Sequence, residues 1–218
     1  MARFKKYFPF LFLIFVFIFS LDLFFGKFVF LPVYYSAPVP APQKSKHLKT
    51  PPSVKAIYLT SFTAGFAVKR DELINFIDKS EINSVVVDIK DYSGRIAFEI
   101  NNPSIKNSGA VEKRIPDIKE LIDKLHQKNI YVVGRIVVFQ DPYLAKLKSE
   151  LAVKNKKGEV WLDNKGLAWL DPAKKEVWDY NIKIAKEAEM AGFDEINFDY
   201  VRFPSDGRTE NIAAEFIL

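Results

Sequence analysis

The chemistry open to this chain is that of carboxylates, Lys, Arg, Tyr and Trp. There is no cysteine and there are only two histidines, His47 and His126. Thiolate nucleophiles, disulfides and iron–sulfur clusters are therefore excluded, and a His-rich zinc site is strongly disfavoured. The remaining reactive groups gather at the ends of apolar runs. Asp88, Lys90 and Asp91 close SVVVDIKD, Gln140 and Asp141 follow IYVVGRIVVF, and Asp199 and Arg202 stand near the end of FDEINFDYVRFP. Groups placed this way can hold and move protons and bind hydroxyls. Two tryptophans form a pattern of their own. KGEVWLD (157–163) and KGLAWLD (165–171) repeat K-G-x-x-W-L-D eight residues apart. Two copies do not make a solenoid. They read as two short turns or a hairpin presenting Trp161 and Trp169 with the same parity. Such rings suit either stacking on the C–H faces of sugars or packing in a core, and both readings stay open.

The elements that must position these residues alternate. VKAIYLT (54–60), SVVVDIKD (84–91), IYVVGRIVVF (130–139) and FDEINFDYVRFP (193–204) read as strands. Between them, 69–80, 116–129 and 171–192 read as helices. Pro116 fits the first turn of the second helix, whose Ile118, Leu121, Ile122 and Leu125 share one face. His126 lies at the edge of that face and reads as structural. Asp171 and Pro172 suit the start of the third helix and Gly192 its end. Apolar strands joined by helices predict a parallel α/β sheet. A doubly wound nucleotide fold would want a Gly-rich turn after the first strand, but TSFTAGF has a single Gly65 and no G-x-G-x-x-G. A (β/α)8 TIM barrel fits better, because barrel sites lie at the carboxyl ends of strands, where the charged residues collect.

Four strands and their helices occupy Val54 to Pro204, and a whole barrel needs about 250 residues. The expectation is the N-terminal half of a barrel, about four strands, in a fragment of a longer gene product that is inactive alone; closure by self-association is the rival. AEFIL at the end reads as a helix cut off mid-pattern.

The amino terminus differs in kind. Eleven of the twenty phenylalanines lie in the first thirty residues. Residues 7–25 form an apolar run with Asp22 near its end, preceded by Arg3, Lys5 and Lys6. This predicts a transmembrane anchor over residues 1–35, with the N-terminus inside and the domain extracytoplasmic. Secretion after signal cleavage is the alternative. Residues 36–53 hold five of the twelve prolines and read as an extended tether with His47 solvated. The folded domain is expected over 54–218. Of the net charge of +5, the first 35 residues supply four bases and one acid, leaving 28 bases against 26 acids. No nucleic-acid surface is indicated.

GFDEINFDYVRFPSDG (192–207), taken with VKAIYLTSFTAG (54–65), VVVDIKDYSG (85–94), GRIVVFQDP (134–142) and WLDPAKKEVWDYN (169–181), resembles the “Putative glycosyl hydrolase domain” family. That family is a group of unknown function distantly akin to the α-amylase superfamily. The resemblance implies a (β/α)8 barrel and action on a polysaccharide. It implies that Asp199, at the end of INFD, is the carboxylate that attacks the anomeric carbon. Two residues earlier the amylase pattern carries Arg, where this chain has Asn197, so a cation must come from Arg202 or Arg135. Glycoside hydrolysis needs two carboxyl groups, and Asp88 is the expected catalytic partner. Lys90, Asp91, Tyr92, Asn197 and Tyr200, with Arg135, Arg202, Trp161 and Trp169, are the expected glycan-binding residues. No cofactor, metal, nucleotide or nucleic acid is called for. A non-catalytic carbohydrate-binding or envelope protein on the same scaffold is the alternative function. A serine triad is disfavoured because no G-x-S-x-G elbow occurs.

Overall fold

The computed structural model describes residues 46–213. The expected membrane anchor, the first part of the tether and the AEFIL segment lie outside the described residues. Among the described residues no helix is long and apolar enough to cross a membrane.

The fold is α/β with a four-stranded sheet in the order β1 (Ala56–Leu59), β2 (Ser84–Lys90), β3 (Tyr131–Val137), β4 (Glu195–Asp199). All three pairings are parallel. Helices α1 (Ser61–Gly65) and α2 (Ala67–Ile77) follow β1. A short α3 (Pro103–Lys106) and α4 (Ile118–Gln127) join β2 to β3. Between β3 and β4 run α5 (Pro142–Leu147), an irregular excursion and α6 (Lys175–Ala191). The sequence expectations for the long elements hold with ends shifted by five residues or fewer, α2 starting two residues before the expected 69; α1, α3 and α5 were not foreseen. Asp171 does not cap α6. Its Oδ1 accepts from Ala173 N at 2.9 Å in a turn that precedes the helix. Gly192, in a left-handed conformation, does end it.

Register separates the two faces of the sheet. Val87, Gly134 and Ile196 align on the helix-covered face, with Val85, Val132 and Ile136 fully buried beside them. The apolar face of α4 (Ile118, Leu121, Ile122, Leu125) packs there, each such side chain contributing about 1.5–3 kcal/mol. On the opposite face Tyr58 aligns with Val86, Val133 and Glu195, and Asp88 aligns with Arg135 and Asn197. Among the described residues no helix packs on that face, and it carries polar side chains such as Asp88 and Arg135.

Three connections fix the ends of the strands. At their amino ends the buried Asp194 carboxylate accepts from Val132 N (2.8 Å), Leu48 N (2.7 Å) and His126 Nε2 (2.9 Å). His126 is thus structural. The last residues of the expected tether are docked rather than free, since Thr50 also bonds Tyr131 Oη at 3.1 Å. At the carboxyl ends a β-bulge between Asp88 and Lys90 turns Lys90 to the helix side. There its Nζ meets Asp141 Oδ2 at 2.8 Å with no solvent exposure of either side chain. Asp141 meanwhile caps α5 through Leu144 N. In the excursion, turns at Gly158 and Gly166 set up antiparallel bridges, Lys154 with Val160 and Leu162 with Ala168. This is the arrangement of short turns that the repeated motif suggests.

Candidate functional site

Arg135 lies at the centre of the uncovered face. Its Nη1 donates to Asp88 Oδ1 at 2.8 Å and its Nε donates to Asp199 Oδ2 at 2.8 Å. One guanidinium therefore bridges carboxylates from strands on either side of it. Sequence parity could not decide which way these side chains pointed. The parallel register does, because Asp88 and Arg135 are direct partners and Asp199 lies two residues beyond Arg135's partner Asn197.

The two carboxylates differ in surroundings. Asp88 is 3% exposed, and its second oxygen accepts the Tyr58 hydroxyl proton. Burial and the Asp88 hydrogen bond push the Tyr58 hydroxyl up to about 12, so it stays protonated and donates. The Asp199 side chain is 43% exposed. Partial burial acts to raise its pKa, but the Arg135 hydrogen bond, the Tyr200 N–H and the charges of Arg135 and Arg202 outweigh it and hold the carboxyl below its ordinary range. Arg135 shows the converse: burial opposes its charge, and its two acidic partners overcome that. The cation missing from the Asn197 position is therefore supplied by Arg135 from the neighbouring strand.

Tyr200 shapes the end of β4. Its φ is +54°, a left-handed conformation costing a non-glycine residue about 1–2 kcal/mol. The kink stops the strand at Asp199, short of the expected Pro204, and brings the Tyr200 N–H to Asp199 Oδ1 at 2.7 Å. Strain of this kind is typical of functional sites.

Asp88, Arg135 and Tyr200 line a cavity of about 640 Å³ together with Tyr58, Phe62, Asp91, Tyr92, Gln140, Asp163, Lys165 and Asp206, within the usual range for ligand pockets. Tyr92 is exposed there, as a ligand contact requires. Asp91 also lines it, but it is tied to Arg114 and to Ser93. Asp163 is consumed by Lys165 N, Leu167 N and Trp169 Nε1. For Asp206 no hydrogen bond or ion pair is found among the described residues. Among these residues, too, no three of His, Asp and Glu gather closely enough to hold a metal ion.

Several expected binding residues lie elsewhere. Lys90 is fully buried on the other face and cannot reach a ligand. Trp161 and Trp169 are 3% and 1% exposed; their indole N–H groups donate to Arg208 O and Asp163 Oδ2, so both are packing residues and not stacking platforms. Asn197 is exposed and is not among the hydrogen-bond partners of Asp199, which are Arg135 and Tyr200 N. Arg202 does not bond Asp199. It holds Phe203 O and Ser205 Oγ and lies over the Trp169 ring, 5.0 Å from its centroid. Sequence reasoning missed Tyr58, Phe62 and Lys165 and read Asp206 only as a turn. For Tyr58 a signal existed: it occupies the alternate position of β1 that points away from Ile57 and Leu59, into the core-free face.

The model of the family described as “Putative glycosyl hydrolase domain” matches residues 56–216. Among solved structures, a hypothetical protein from Ruminiclostridium thermocellum is 42% identical with a TM-score of 0.68, over 72% of this chain and 80% of that one. An alpha-galactosidase from Lactobacillus brevis (18% identical, TM-score 0.49) aligns over 67% of this chain and 20% of its own. A Flavobacterium johnsoniae chitobiase (16%, TM-score 0.47) aligns over 68% and 24%. This chain thus spans most of the first of these proteins and a quarter or less of the other two. No curated protein matches.

Proposed function

The chain belongs to this glycosyl hydrolase-domain family, and we propose that the site around Arg135 cleaves O-glycosyl bonds of a polysaccharide, with Asp199, which is bonded to the cavity-lining Arg135 but is not itself a lining residue, as the attacking carboxylate. The observation that carries the reading is the Arg135 guanidinium shared by Asp88 and Asp199. It keeps Asp199 ionised at neutral pH while leaving that carboxylate open to solvent, which is what an attacking or water-activating group needs. Asp88, sealed and doubly hydrogen-bonded, acts through Arg135 as a positioning residue, and Tyr58 holds Asp88. Asp206 lines the cavity with no hydrogen bond or ion pair among the described residues and is the candidate for the second carboxyl group that the reaction needs. In this reading the sheet is half of a (β/α)8 barrel, and the uncovered face is the barrel's interior. The apolar run 7–25 anchors the domain on the outer side of a membrane, and the glycan is an envelope or environmental one.

The test uses the whole gene product. Release of reducing ends from a polysaccharide panel is expected from wild type. It should be lost on Asp199→Asn with the circular dichroism spectrum unchanged. A folded wild-type protein that binds a glycan and releases nothing would replace the enzyme with the carbohydrate-binding alternative.

A further inference from the structure

With Trp161 and Trp169 buried, the cavity needs another apolar surface if it is to hold a sugar ring. Phe62 is such a surface. It lines the cavity and is 63% exposed. A lone exposed phenylalanine is unremarkable, but this one is braced. The Arg114 guanidinium lies 4.4 Å from the ring centroid and covers one of its faces. Arg114 is immobilised in turn. Its Nη1 donates to Ser61 Oγ at 3.1 Å and to Asp91 Oδ2, and its Nε and Nη2 grip Glu112 at 3.1 and 3.0 Å. Helix α1 lies so close to the Arg114 backbone that a Cβ on Gly65 would fall 1.8 Å from the Arg114 carbonyl oxygen. The ring is therefore held before any ligand arrives, so little rotamer entropy is lost on binding. Tyr58, Tyr92 and Tyr200 add further rings to the same lining, Tyr92 being 59% exposed. The charges of the lining are uneven: Asp88, Asp91, Asp163 and Asp206 face the cations Arg135 and Lys165.

We propose that Phe62, stacked on Arg114, is the platform of a sugar subsite, and that the subsite takes an uncharged pyranose of the glycan chain. The apolar C–H face of the ring lies on Phe62, and the acidic excess of the lining repels uronate-bearing chains. The inference rests on the glycan reading above and adds to it the place and charge class of the ligand.

Isothermal titration of the whole protein with cellohexaose, maltohexaose, chitohexaose and hexagalacturonate tests it. At least one uncharged hexamer should bind, and hexagalacturonate should not. Phe62→Ala should weaken that binding about tenfold, or about 1.4 kcal/mol, and Phe62→Trp should restore it. The thermal midpoint of Phe62→Ala should stay near wild type, as for an exposed side chain. Binding that survives Phe62→Ala, or a preference for hexagalacturonate, overturns the platform and leaves the Arg135 centre standing. A wild type that binds none of the four overturns both.

Discussion

Replacing Arg135 by Met tests the central geometry most directly. The substitution keeps a long side chain but leaves the Asp88 carboxylate, 3% exposed, with the Tyr58 hydroxyl as its remaining side-chain donor. Breaking a buried pair by removing one partner costs about 3–5 kcal/mol, because the other charge is left uncompensated. The Asp199 arm, 43% exposed on its side chain, adds at most about 1 kcal/mol after solvent screening. With a urea dependence of about 2 kcal/mol/M for a domain of this size, the midpoint should fall by about 1.5–3 M. Asp88→Asn placed in the same background removes the stranded charge and should recover most of that loss, a coupling of at least about 2 kcal/mol. The assay is equilibrium urea unfolding followed by tryptophan fluorescence. A midpoint shift of less than about 0.5 M for Arg135→Met, or a double variant no more stable than Arg135→Met, would refute the bridged arrangement.

Two further outcomes follow from contacts elsewhere in the fold. Trp169→Ala should lose about 3–5 kcal/mol of stability, as large aromatic deletions from a core do, while the protein that remains folded keeps its glycan affinity within about twofold; a selective loss of affinity would return Trp169 to the binding surface. Arg70 of α2 donates through Nη1 and Nη2 to both oxygens of Asp117, the residue before α4, at 2.9 and 2.8 Å; this hydrogen bonding lowers the Asp117 pKa against the opposing pull of burial, so the pair's contribution is fully present above the unfolded value of about 3.9 and fades as pH falls through the lower folded value. The stability gap between wild type and Asp117→Asn should therefore narrow from about pH 6 to about pH 2, and a gap that stays constant would contradict the assignment.

Periodicity and composition were enough to locate the four strands and three long helices, because burial against a helix layer demands an apolar pattern whatever the neighbours are. They also placed Asp88 and Asp199 at strand ends. Which side chains meet was a matter of register and local irregularity, and neither is a property of one segment. A single bulge after Asp88 sends Lys90 into a buried pair with Asp141, although simple alternation would put Lys90 beside Asp88. The two tryptophans have the composition of a sugar platform, yet the turns at Gly158 and Gly166 fold them inward, while Phe62, which no motif marks, is left exposed and braced by Arg114 from about fifty residues away in sequence. The cation that Asp199 lacks at Asn197 comes from β3. Alternation along one strand tells which residues share a face, but only pairing between strands tells which charges lie within hydrogen-bonding distance across it.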